Sequence, residues 1–80
     1  MPNTIRVKNI NDKPFGLVIE PWAQYEKIAP GSCAEIVLYN EEPDDVLDVT
    51  LTEDGDVFIA PPADIVFSID DREIIDTRSK

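Results

Sequence analysis

Turn residues punctuate this chain so often that no stretch of ten or more residues keeps a helical period, which confines it to short strands. The clearest strand is 46–52, where Leu47, Val49 and Leu51 alternate with Asp48, Thr50 and Thr52, the pattern of a half-buried antiparallel strand. That alternation assigns Leu47, Val49 and Leu51 to the core. The same period places Ile5 and Val7 on one face of 4–9, aligns Phe15, Leu17 and Ile19 in 15–20, and turns Ala34, Ile36 and Leu38 inward in Cys33–Tyr39.

The connections follow from local chemistry. Asn11-Asp12-Lys13-Pro14 turns the first run into the second, Asp54-Gly55 is a hairpin signal leading into Val57–Ala60, and Pro61-Pro62 stops that strand. A run over 65–69 follows, which Asp70-Asp71 turns into 72–75. Pro21 cannot donate to a ladder and ends 15–20, while Pro30-Gly31 fits the middle of a type II turn. Residues 20–31 therefore read as a connection carrying Trp22 and Tyr25. The expected fold is all-β: a small antiparallel sandwich or partly open barrel of about seven short strands. It forms one domain over 1–75 with a polar tail at 76–80.

At 80 residues the chain buries only roughly 60–65% of the surface its unfolded form exposes. Cys33 stands alone, so no intrachain disulfide reinforces the core. No apolar run reaches the roughly 18 residues of a membrane helix, and 1–11 lacks the basic-then-apolar form of a signal peptide. The expectation is a cytoplasmic protein without a membrane partner.

Charge is distributed unevenly. Twelve acids and no Lys or Arg lie between Lys27 and Arg72, in a chain of net charge −10. Such a surface repels phosphate backbones and argues against direct nucleic-acid binding. Glu41, Glu42, Asp44, Asp45, Asp54 and Asp56 form a candidate acidic surface, read either as solubilising loops or as a field that attracts a basic partner. Glu53-Asp54-Gly55-Asp56 does not match an EF-hand loop, and with no His and one Cys the chain has few ligands for zinc, copper or haem. No metal or other cofactor is expected.

Without His the chain lacks the commonest general base, and chance carboxylate pairs are unavoidable among seventeen acids, so an enzyme is not expected. Cys33 reads as a small strand residue. Trp22, Tyr25 and Tyr39 are candidate partner contacts, or else aromatics that close the sandwich. Val18, Val37, Tyr39, Phe58 and Val66 fall out of phase with the core set, read either as a second face partly covered by the other sheet and the Trp22 connection or as a partner or homodimer patch.

The order Asn9, Ile19-Glu20-Pro21-Trp22, Tyr25, Ile28, Pro30-Gly31 and a Glu-bearing strand resembles a group of short, acidic, uncharacterised bacterial proteins with an E-P-W…Y…P-G segment. The resemblance covers about residues 5–39 and departs from the group at Ser32-Cys33. It implies a compact bacterial β domain and no particular activity. The opening is also loosely similar to cupredoxin-like and immunoglobulin-like sandwiches, without the copper ligands. The expected function is a non-catalytic protein-interaction or accessory module of a bacterial or phage protein. An acidic inhibitor or immunity-type protein and a small-ligand binder are the alternatives.

Overall fold

A computed structural model describes residues 3–78; Met1, Pro2, Ser79 and Lys80, hence the ends of the signal-peptide and tail readings, lie outside the described residues. Among the described residues there are eight strands: β1 (Asn3–Lys8), β2 (Phe15–Ile19), β3 (Gln24–Ile28), β4 (Cys33–Tyr39), β5 (Asp48–Leu51), β6 (Val57–Ala60), β7 (Asp64–Ile69) and β8 (Arg72–Asp76). They form two four-stranded sheets, β1-β4-β7-β8 and β3-β2-β6-β5. The architecture is a sandwich rather than a barrel, and every ladder is antiparallel apart from the parallel pair β2–β6.

The core lies between the two sheets. Leu17, Ile19, Ile28 and Ile59 on one side meet Ala34, Ile36, Leu38, Ile65, Phe67 and Ile69 on the other. Burial of each large side chain in this set contributes roughly 1.5–3 kcal/mol. The alternation read from β2 and β4 matches this core at Leu17, Ile19, Ala34, Ile36 and Leu38, while Phe15 is half-buried and packs against it. The outward apolar residues Val18, Val37, Tyr39, Phe58 and Val66 are half-buried; Val37 stands opposite Val66, Val18 opposite Phe58 and the exposed Tyr25, and Tyr39 opposite Asp64.

Three expectations need correction. Residues 20–31 are not one long connection, because 24–28 form β3, paired along its whole length with β2. Its inward phase holds polar Gln24 and Glu26, joined by a 2.7 Å bond, so the strand lacks the apolar alternation that announces one. The core assignment of Val49 and Leu51 also fails: their phase is right, but they are 58% and 73% exposed. Only Leu47, half-buried, packs against the core. Finally, the domain extends past residue 75. Asp76 closes β8, Thr77 exchanges hydrogen bonds with Ile65, and Arg78 grips the Asp76 carboxylate with two of its nitrogens.

The turns use the expected chemistry. In Ala29-Pro30-Gly31-Ser32 the Ser32 amide donates to the Ala29 carbonyl at 3.0 Å, and Gly31 takes the positive φ of 84° that a type II turn requires. Asp70 and Asp71 both sit at positive φ, the geometry of a type I′ turn between paired Ile69 and Arg72. Asn9, the buried polar residue of the core, donates from Nδ2 to the carbonyls of Lys13 and Ile28 and accepts from the Asn11 amide. It anchors the β1–β2 loop to the end of β3.

Candidate interaction surface

The β5–β6 hairpin is built by Thr52-Glu53-Asp54-Gly55-Asp56. Gly55 donates to the Thr52 carbonyl at 3.0 Å, Thr52 donates to the Asp56 carbonyl at 2.9 Å, and Gly55 sits at φ 86°. This is a type I turn followed by a bulge in which glycine supplies the left-handed residue. The Asp56 side chain then accepts the Gly16 amide at 3.0 Å, fastening the hairpin to β2. Among the described residues the far side of β5 has no neighbouring strand.

The phase of this hairpin decides which backbone groups face outward. Bonded and non-bonded pairs alternate along an antiparallel ladder. The Thr52–Asp56 bond therefore puts Thr50 opposite Phe58 in the bonded phase and turns the N–H and C=O of Val49 and Leu51 toward the open edge. The side chains of Val49 and Leu51 project from the inner face of the sheet, beside buried Ile59 and half-buried Val57, yet both stay largely exposed, and Leu51 faces Val7 of the opposite sheet only across an open groove. Val46, just before the strand, is 68% exposed, and Ile10 on the β1–β2 loop is 96% exposed. An open groove of about 480 Å³ lies between that loop and the hairpin, lined by Val7, Ile10, Phe15, Leu51 and Val57 together with Lys8, Lys13 and Asp54.

The other three sheet edges are protected in ways strands commonly use. β1 carries Arg6 and Lys8, Arg6 paired with Glu35 at 3.0 Å. β3 turns Gln24 and Glu26 inward, and β8 carries Arg72 and Glu73 beside a register shift at Phe67/Ser68. On β5 the inward residues are apolar and the outward ones are Asp48 and Thr50.

Acids surround this edge. Before it, the turn 42–45 is closed by the Asp45 amide on the Glu42 carbonyl and by the Glu42 amide on the Asp45 carboxylate, with Asp44 exposed. After it come exposed Glu53 and Asp54. Glu41 accepts from the Asn3 amide group and Asp56 from Gly16, so these two serve the fold. The expected acidic set thus divides into anchoring residues and exposed ones.

The aromatic residues do not form one platform. Trp22 sits in the β2–β3 turn, on a groove of about 520 Å³ with Pro21, Pro61, Pro62 and Ala63. Tyr25 lies on the outer face of its sheet over Gly16, where an added Cβ would stand 2.6 Å from its ring. Tyr39, on the opposite sheet, is covered by the Arg78 guanidinium at 4.6 Å, a charge that Asp76 holds more firmly than usual. Among the described residues no three His, Cys, Asp or Glu side chains gather as a metal site would require. Cys33 is half-buried in β4, its thiol directed to the Ala34 carbonyl at 3.7 Å.

The alternation of 46–52 revealed a face but not that its far side is empty. The run lacks Lys, Arg and Pro, but so do the interior strands β2, β4, β6 and β7, so the sequence carried no signal that set this strand apart as an edge. No family model matches the sequence, and comparison with curated proteins and with solved structures returned no match.

Proposed function

We propose that this protein is a non-catalytic interaction module whose contact surface is the open edge of β5 and the groove beside it. The observation that carries this reading is the exposure of Val49 and Leu51 in the inward phase of a strand whose ladder partners contribute to the core. Uncovered apolar surface rimmed by polar residues is a common mark of a contact site. The grooves are open, and their lining offers apolar walls with scattered charges.

The test is site-specific photo-cross-linking in the cell that encodes the protein. Cross-linkers at positions 10 and 51 are expected to give a discrete partner adduct that cross-linkers at exposed Thr4 and Glu73 do not give. Leu51→Asp should abolish the adduct formed from position 10. Adducts at all four positions alike, or at none, contradict the reading.

The acidic-inhibitor reading is favoured by exposed Asp44, Asp48, Glu53 and Asp54 around the same edge. It differs in mechanism, because a charge mimic draws its association from the acidic field alone and tolerates loss of the apolar Leu51 side chain, whereas the edge reading requires that contact.

A further inference from the structure

We propose that β5 receives an extended cationic segment of a partner protein as an added antiparallel strand, extending the sheet β3-β2-β6-β5 by one. The proposal rests on the reading of β5 as the contact surface and specifies its occupant. Val49 and Leu51 each turn one donor and one acceptor outward, which is the template used in strand addition, where main-chain bonds give affinity and alternate side chains give specificity.

The two faces of β5 dictate the sequence that fits. On the inner face the added strand continues the row of Val49 and Leu51, so every second residue is apolar and lies at the mouth of the groove that Ile10 and Leu51 share. On the outer face its remaining residues stand beside Asp48 and Thr50, and its ends meet Asp44 and Asp45 on one side and Glu53 and Asp54 on the other. Basic residues there meet opposite charge at both ends and in the middle. Lys8 and Lys13 belong to the groove on the inner side, where the apolar residues enter. A second copy of this chain fits poorly. Antiparallel pairing of two β5 strands lays the 42–45 turn of one molecule against the 53–54 turn of the other, acid on acid, between chains each of charge −10.

Synthetic peptides test this directly. The probe is the blocked heptapeptide Lys-Val-Lys-Val-Lys-Val-Lys. Comparison peptides replace Lys by Glu, or carry N-methyl groups on the three Val or on three Lys residues. In antiparallel pairing the Val residues stand opposite Val49 and Leu51 and donate to them, so N-methylation of Val removes the ladder at constant charge.

Binding of the parent peptide, followed by amide exchange, is expected to slow exchange at Val49 and Leu51 at least tenfold. The N-methyl-Val and Glu peptides should bind at least tenfold more weakly, and the N-methyl-Lys peptide within threefold of the parent. Val49→Pro removes one outward N–H without breaking a native ladder bond and should reduce binding at least tenfold in a protein that remains folded. Equal binding of the N-methyl-Val peptide overturns strand addition, and equal binding of the Glu peptide overturns the cationic occupant. No binding of the parent peptide, or concentration-dependent self-association that protects Val49 and Leu51, overturns the proposal as well. If the proposal fails while cross-links at 10 and 51 persist, the contact surface stands and its occupant is different; loss of both removes the surface itself.

Discussion

Val49 stands directly opposite Ile59 in the β5–β6 ladder, on the same face of the sheet, yet Ile59 is fully buried and Val49 is 58% exposed. Burial on this face therefore falls away between two adjacent strands. Everything functional in this account follows from that boundary, since it leaves apolar side chains and unpaired main-chain groups on one short strand with acids at both ends.

Alanine substitutions measure the boundary. Ile36→Ala and Ile59→Ala empty fully buried sites and should each cost roughly 2–5 kcal/mol. Leu51→Ala, at 73% exposure, should stay within about 0.5 kcal/mol of the parent. Urea denaturation of the three variants checks this; a loss at Leu51 comparable to that at Ile36 means that the β5 face is covered.

Gly16 is required by contact, not by a special backbone angle. A Cβ there would stand 2.6 Å from Asp56 Oδ1 and 2.6 Å from the Tyr25 ring. Gly16→Ala must displace both side chains and disturb the bond that fastens the hairpin to β2, at a cost of roughly 1–3 kcal/mol. Tyr25→Ala in the same background should recover part of the loss, because it removes one of the two obstacles. Additive destabilisation by the two substitutions counts against this packing.

Asp70 joins the β7–β8 turn to the start of β4. Its carboxylate accepts the Ser32 hydroxyl at 2.7 Å and the Cys33 amide at 3.0 Å, and these bonds, the first above all, hold its pKa below the usual range. The folded value lies under the unfolded one, about 3.9, so the contribution is complete above that value and disappears as pH falls through the folded pKa. The stability gap between the parent and Asp70→Ala should be constant from neutral pH down to about pH 5 and close below about pH 4. A gap that widens in acid contradicts the assignment.

Much of the fold was legible in the sequence because its turns use residues with few conformational options. Pro30-Gly31, Asp54-Gly55 and Asp70-Asp71 all lie in turns, and the alternation in β2 and β4 named their buried residues. β3 was hidden because its inward positions hold Gln24 and Glu26, and the parallel β2–β6 pair joins strands far apart in the chain. Alternation states which way a side chain points; it carries no record of what lies across from it. For that reason 46–52 read as the clearest core strand and proved to be the exposed one. The acids flanking it were visible from the start, but the apolar face between them was assigned to the core.

Residue-resolved amide exchange of the free protein tests the open edge most directly. With Thr50 bonded into the β6 ladder and Val49 and Leu51 turned to solvent, the exchange rates along β5 should alternate, Thr50 at least tenfold slower than both neighbours. Uniform protection of Val49, Thr50 and Leu51 in dilute solution would contradict the account, because it would mean that the edge is already occupied.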